Sequence, residues 1–321
     1  GSAVVFKPYS VKGYQISRTR TVPNTEVVVN DYFAGEGGLN IATWGNSFEV
    51  AEGLSLGVNA NFIFGNAIDE NLIDFRPTNF VDTRTITDVA YKAFTFDYGL
   101  QYQYALPGDY FLGTGLAYSN TGNMNATVES YQFTEDAFGA LDTLSGGFSE
   151  ERDISIPSEF KVGLSFGKNH PQILNPAWAV NADFEMYNGA EFVDFDGSAP
   201  LQNGYKVQVG GFFTPRFSVK SWERLPGYFN NIEYRLGAYY EKTPLMLAGQ
   251  ELPDYGITFG LGLPIKQRNI APGEVKITLV NIGASFGQRG TLNNNLILEE
   301  YLSFYIGITF NDKWFIDYKY R

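Results

Sequence analysis

The sequence predicts an all-β protein, a transmembrane antiparallel β-barrel with about twelve strands in this chain. Residues 301–310 alternate strictly between apolar side chains and small or polar ones, as in a strand with one apolar and one wet face. The pattern recurs along the chain, whereas the sequence contains no run of about 18 apolar residues, which a membrane-spanning helix needs. Aromatic residues make up 16% of the chain, with 21 Tyr and 27 Phe, as expected for a barrel with two aromatic girdles.

The alternation of apolar and polar residues locates each predicted strand along the sequence. Leu54 and Leu56 share a face opposite Ser55 and Gly57, and residues 94–104 alternate in the same way. The predicted strands are residues 3–20, 36–49, 53–66, 88–104, 109–120, 158–167, 176–188, 203–215, 228–242, 254–265, 274–287 and 299–310.

The predicted connections alternate in length. Short ones lie near 51–52, 106–108, 168–175 and 267–272. Longer ones lie near 21–35, 67–87, 121–157, 189–202, 243–253 and 288–298. Bacterial barrels have short periplasmic turns and long extracellular loops, so we expect the long connections to lie outside the cell.

A soluble β-sandwich or propeller is the alternative fold, because its strands also alternate. Sandwich strands usually have about five or six residues. Many strands here alternate over about nine residues or more, the length that spans a bilayer when the strand is tilted. The sequence also has no repeat with the period of a propeller blade. The barrel is therefore the favoured fold.

Charge and composition limit the partners. The net charge of −12 argues against nucleic acid as a partner. The chain has no Cys, so it forms no disulfide and offers no thiolate chemistry. Its acidic loops, such as 150–153, lack the spacing of a calcium-binding loop. We expect no metal site and no cofactor.

The histidine content argues against an enzyme. His170 is the only histidine, and it lies in a predicted short turn, Lys168 to Pro171. A hydrolase of the Ser–His or Asp–His type needs a histidine held against a nucleophile or a water. The turn is at the opposite end from the long loops. We therefore expect a solvated histidine and no enzymatic activity.

Charged residues within the strands are expected to face the lumen, because a charge facing lipid near the midplane costs about 2–4 kcal/mol. Inside the barrel they either pair with one another and fill it or line a polar path. Many glycines share these inward faces, where they relieve crowding and permit bends. The candidate ligand-binding residues on these faces are Asp97, Asp183, Glu185, Lys206, Glu233 and Arg235.

Several local motifs add a family resemblance. They include Pro8–Tyr14, Gly35–Asn40, Tyr234–Tyr240, Tyr255–Pro264 and Phe286–Thr291. In this order they resemble the Bacteroidota branch of the long-chain fatty acid transporter family of outer-membrane barrels. The resemblance implies a cell outer-membrane location and a barrel with 14 strands and an N-terminal hatch. We therefore expect residues 1–321 to form a single barrel domain that lacks the hatch and the first strands, with residues 311–321 as a periplasmic tail or strand extension.

The resemblance leaves two functional hypotheses. The first is uptake of a hydrophobic small molecule, such as a fatty acid, by a barrel embedded in outer-membrane lipid. The second is a structural or accessory subunit of a complex with other outer-membrane proteins, as in barrel-assembly or type IX secretion machinery. The second predicts surface aromatics used for protein contact, for which Phe192, Phe195, Trp222 and Tyr228 are candidates.

Overall fold

Fourteen antiparallel strands join in one sheet within the residues that the structure describes. This computed structural model describes residues 1–76, 80–135, 141–170, 173–194, 198–215, 225–267 and 276–309. The strands are β1 (Ser2–Thr21), β2 (Val28–Ala51), β3 (Leu54–Arg76), β4 (Asp82–Leu106), β5 (Tyr110–Ser119), β6 (Gly122–Glu135), β7 (Leu141–Ile156), β8 (Glu159–His170), β9 (Ile173–Tyr187), β10 (Gly204–Phe213), β11 (Glu233–Leu247), β12 (Gln250–Gln267), β13 (Lys276–Gly290) and β14 (Leu298–Thr309). The connections contain a helix, α1 (Leu225–Phe229), and 3₁₀ turns at Gly189–Glu191 and Asn293–Asn295.

Twelve of these strands form the barrel wall, in the order β1–β2–β3–β4–β5–β8–β9–β10–β11–β12–β13–β14. Each corresponds to a predicted strand, so the predicted barrel is confirmed. We call the end with turns 52–53 and 107–109 the turn end, and the end with connections 22–27, 188–203 and 291–297 the loop end.

The hairpin β6–β7 was not predicted, because residues 121–157 were expected to be a loop. It extends the wall past the ends of β5 and β8. β4 pairs with β5 at Asp97–Ser119 and with β6 at Ala93–Met124, so β5–β6 carries one extra residue opposite β4. Such a bulge reverses which residues face inward.

Other predicted loops also proved to be strand. β3 and β4 continue through most of 67–87, and 243–253 forms the end of the β11–β12 hairpin. This hairpin closes through Ala248 and Gly249, whose φ values of 48° and 72° suit a tight two-residue turn. Strand ends that project into water need no apolar outer face, so the alternation that predicted the wall fades there. At the turn end, the strand predicted from residue 228 begins at Glu233, after α1.

Two aromatic girdles encircle part of the wall. At the loop end, ring centroids lie 6.2–6.5 Å apart along the row Phe184, Tyr205, Tyr240 and Tyr255. At the turn end, the Phe166 ring lies 5.9 Å from Tyr110 and 5.6 Å from Trp178. On β9, Trp178 and Phe184 are separated by about 20 Å of strand. This spacing is close to the apolar band of about 25 Å that outer-membrane barrels present to lipid.

A glycine bend crosses β1, β2 and β3 at one level. Tyr9 is an extra residue in β1, between Pro8 and Ser10. Beside it, the φ values of Gly38 and Gly65 are +156° and +148°. A Cβ on Gly65 would lie 2.3 Å from the Gly38 carbonyl oxygen, and one on Gly38 would lie 2.4 Å from the Ser10 carbonyl oxygen. Only glycine allows three backbones to approach so closely.

The helices are few and short. Within the described ranges, none is long and apolar enough to cross a membrane. The predicted tail at 311–321 and the aromatics Phe195 and Trp222 lie outside those ranges.

Candidate functional site

An apolar cluster fills the inner face of the wall near the loop end. β2, β3 and β4 contribute from one side and the hairpin β6–β7 from the other, because the bulge before β6 turns Met124 and Ala126 inward. Tyr91 and Phe192 pack against the cluster. Its buried members are Leu39, Ile41, Ile63, Val89, Ala93, Met124, Ala126 and Ile154.

A pocket of about 270 Å³ opens beside this cluster. The glycine bend forms one wall through Gly38, Leu39 and Ala67, and the opposite wall comes from Tyr91, Met124, Ile154 and Phe192. Lys12 and Asp194 lie at its polar rim, and the Lys12 ammonium pairs with Asp69 at 2.5 Å. Apolar walls with a polar rim suit a hydrophobic molecule that carries a polar end.

Residues 188–194, which we call the strap, hold Phe192 against the pocket. Glu191 anchors the strap with one carboxylate oxygen, which accepts hydrogen bonds from the Ser158 hydroxyl at 2.8 Å, the Ser158 backbone N–H at 3.0 Å and the Thr121 hydroxyl at 3.0 Å. These donors, the Ser158 backbone N–H first among them, lower the pKa of Glu191. The anchor therefore holds a charged carboxylate at neutral pH.

A larger cavity, of about 670 Å³, lies on the inner face nearer the turn end. The polar side chains that line it include Ser55, Gln101, Asn181 and Gln208. The glycines Gly57, Gly99, Gly113 and Gly163 also line it. A second inner cavity of about 330 Å³ lies against β9–β12 and β14.

The six predicted ligand-binding residues all lie on the inner face of the wall. Asp183 lines both inner cavities. Asp97 accepts a hydrogen bond from the Asn61 amide at 2.9 Å. Glu185 accepts one from the Gln208 amide at 2.9 Å and lies 3.5 Å from the Lys161 ammonium.

The remaining three are in ion pairs. The Arg235 guanidinium lies 2.5 Å from Glu233, and the Lys206 ammonium lies 3.4 Å from Glu241. Pairing with neighbours thus accounts for these charges. The apolar pocket, in contrast, contains none of the six predicted residues.

A buried polar cluster joins four neighbouring strands, β11 to β14. Asp254 is 3% exposed and accepts hydrogen bonds from Arg289 Nε at 2.8 Å and the Tyr301 hydroxyl at 2.7 Å. The Tyr239 hydroxyl donates to it at 3.1 Å and also contacts the Tyr301 hydroxyl. The cluster ties β11, β12, β13 and β14 together.

The outer face carries an apolar groove of about 740 Å³ between the girdles. Its outward side chains include Val180, Val209 and Leu236, which are 50–59% exposed. Gly211 and Ala238, which have little or no side chain, leave the hollow between the larger residues Trp178, Phe213 and Tyr234.

Sequence reasoning missed the apolar pocket. On β3, the apolar Ile63 follows Asn59 and Asn61 on the inner face. On β2, Ile41 lies opposite Ile63, and Leu39 shares its inner face. Apolar residues on an otherwise polar inner face were the available signal. Phe192 was expected as an exposed contact residue, but the structure packs it against the cluster.

Several solved structures of membrane channels and transporters are similar to this chain. A Pseudomonas aeruginosa FadL homologue is similar in structure, with a TM-score of 0.52 and 14% sequence identity over 84% of this chain and 68% of that chain. The CymD monoaromatic hydrocarbon channel gives a TM-score of 0.47 at 12% identity, over 90% of this chain and 81% of that one. The Pseudomonas putida toluene transporter TodX gives 0.43 at 13% identity, over 96% and 85%. The first of these shows a shared fold.

Sequence comparison identifies the family. Curated proteins give no match to the chain. The sequence model of the BamG family matches residues 1–321. Because that match extends over every residue of the sequence, the chain belongs to the BamG family.

Proposed function

We propose that this chain is a barrel of the cell outer membrane that takes up a hydrophobic small molecule, such as a fatty acid. The observation that carries the proposal is the pocket on the inner face, which Leu39, Met124 and Phe192 line beside the buried apolar cluster. Apolar walls inside the lumen favour an apolar ligand, since each buried CH₂ contributes about 0.8 kcal/mol. Uptake of this kind needs no cofactor and no covalent step.

Capture at the loop end would be the first step. A hydrophobic chain would lie between Leu39 and Met124, with its polar end toward Lys12 at the rim. The ligand would then pass along the inner face of the wall. Asp183, Glu185 and Arg235, which line the two inner cavities, would form a polar path together with Asp97, Lys206 and Glu233.

Replacing Met124 by Gln tests capture. Met124 is 8% exposed in the pocket wall, so M124Q places an amide among apolar side chains and is expected to weaken binding of tritiated decanoate about tenfold. Scintillation proximity binding in detergent measures the dissociation constant. The matched control is M246Q, because Met246 is 45% exposed and lies on the distant β11–β12 hairpin. Equal affinity in both variants would contradict capture at this pocket.

A second function, a subunit role in a complex of outer-membrane proteins, is favoured by membership of the BamG family. The outer groove adds to it, because a hollow bounded by Trp178, Phe213 and Leu236 could receive a side chain from a neighbouring membrane protein.

Filling the groove tests the subunit role. A238W would place an indole in the hollow while pointing into the lipid band, and it is expected to dissociate any assembly that uses the groove. Native mass spectrometry of mild-detergent extracts measures this, with A182W on the same outer face of β9 as the control. A fixed stoichiometry in wild type and A182W that A238W abolishes supports the role. A monomer in all three contradicts it.

A further inference from the structure

The strap crosses the loop end between two parts of the wall. On one side, the Asn188 N–H donates to the Ser158 carbonyl at 3.0 Å, and the Ser155 N–H donates to the Val193 carbonyl at 3.2 Å. On the other side, the Ala190 N–H donates to the Asn203 side chain at 3.1 Å. The strap is therefore hydrogen-bonded to its neighbours on both sides.

Glu191 provides the densest of these anchors. Its single oxygen binds both Thr121, just before β6, and Ser158, just before β8. This is where the wall passes from β5 and β8 to the hairpin β6–β7. Hydrogen bonds to a charged group are the strong ones, so this carboxylate contributes more than the neutral backbone contacts.

Phe192 follows Glu191 directly and packs against the apolar cluster at the pocket. Gly189 lies close to two neighbouring segments, because a Cβ there would lie 2.1 Å from the Gln202 carbonyl oxygen and 3.1 Å from Pro244. The Glu191 contacts therefore hold the residue next to Phe192 in place. Loss of the carboxylate removes that anchor, while the Val193 carbonyl still accepts from the Ser155 N–H.

We propose that Glu191 is a positioning residue that seats Phe192 on the apolar pocket and so controls the entry of ligand. The proposal rests on the proposed uptake function for its purpose, although the seating of Phe192 can be measured without a ligand. Loss of the Glu191 carboxylate is expected to increase the fraction of molecules whose pocket is open.

Cysteine labelling measures this opening directly, because the chain has no cysteine of its own. M124C places a thiol in the pocket wall, and a water-soluble maleimide should label it slowly in an otherwise unchanged chain. E191A should raise the labelling rate about tenfold, and E191Q, which keeps one neutral acceptor, should fall between the two. I154C provides a second position, since Ile154 is 2% exposed in the same cluster.

Two controls separate seating from general loosening. E251A removes an exposed carboxylate at the β11–β12 hairpin and should leave labelling of M124C unchanged. M246C, at an exposed site, should label at one rate in every background. Unchanged labelling of both M124C and I154C in E191A would overturn the proposal, and so would a rise that E251A reproduces.

A disulfide across the strap gives an independent measurement. Ser155 and Val193 face each other as an antiparallel bridge, a geometry compatible with a disulfide between S155C and V193C. The oxidised form should slow tritiated decanoate association about tenfold, and reduction should restore it. If wild type binds no decanoate yet E191A speeds labelling, the uptake function fails and the positioning role stands. If wild type binds decanoate, but the disulfide leaves the association rate unchanged and E191A leaves the labelling rate unchanged, only the positioning role fails.

Discussion

Replacing Gly65 by Ala is expected to disrupt the glycine bend and lower the free energy of unfolding by about 3 kcal/mol. Gly65 has a φ of +148°, and its new Cβ would lie 2.3 Å from the Gly38 carbonyl oxygen and 3.0 Å from the Leu39 Cα. Both of these atoms belong to the backbone of β2, so no side chain can move aside to relieve the clash. Because Gly38 and Leu39 also form a wall of the apolar pocket, G65A should lose decanoate binding as well.

Urea unfolding in lipid vesicles, followed by tryptophan fluorescence, measures the change in stability. G307A is the matched control, because Gly307 lies in β14 and a Cβ there would meet no atom within 4 Å. It should change the unfolding free energy by less than about 0.5 kcal/mol. A G65A protein as stable as G307A would mean that the close approach of β2 and β3 is not needed for the fold.

Replacing Asp254 by Ala is expected to cost about 3 kcal/mol of unfolding free energy. The carboxylate is almost fully buried and accepts hydrogen bonds from Arg289, Tyr239 and Tyr301. The change leaves both hydroxyls and the guanidinium without their shared acceptor, and it removes the contact that links β12 to β14. The same urea titration measures the cost.

The control for D254A is E251A, three residues away in β12. Glu251 pairs with Lys242 at 2.5 Å, but its side chain is 57% exposed, so its loss should cost less than about 1 kcal/mol. A difference of less than about 1 kcal/mol between the two variants would show that the buried cluster adds little to the wall.

The barrel wall could be predicted from the sequence because its strands lie between water and lipid. Alternation in residues 54–64 and 301–309 reflects that boundary directly, and the structure places both segments in the wall. The hairpin β6–β7 extends past the ends of β5 and β8 at the loop end, and one of its faces packs into the apolar cluster. Its signal was further weakened by register shifts near Gln132. Alternation therefore could not separate this hairpin from a loop.

The inner charges were predictable, but their cross-strand partners were not. Lipid excludes Lys206 and Arg235 from the outer face, so the sequence alone gives the direction of both side chains. Glu233 is two residues from Arg235 on the same strand, so alternation already places this pair on one face. The pairing of Lys206 with Glu241 depends on the register of β10 against β11, which only the structure gives.

The apolar pocket could not be assembled from the sequence for a similar reason. Met124 faces inward only because one extra residue precedes β6, and alternation within β6 alone does not reveal that bulge. Phe192 reaches the pocket through the Glu191 anchor, a contact between segments more than thirty residues apart. The pocket therefore depends on contacts between distant segments, whereas the strands of the wall depend on local alternation.

Uptake of a hydrophobic molecule is tested most directly by locating a bound ligand. The measurement is an anomalous-difference crystal structure of the protein with 10-bromodecanoate. Capture predicts a bromine peak in the apolar pocket, in contact with Met124 or Phe192, with the carboxylate toward Lys12. Bromine peaks confined to the outer face, with the pocket free of ligand density at saturating concentration, would contradict uptake through this lumen.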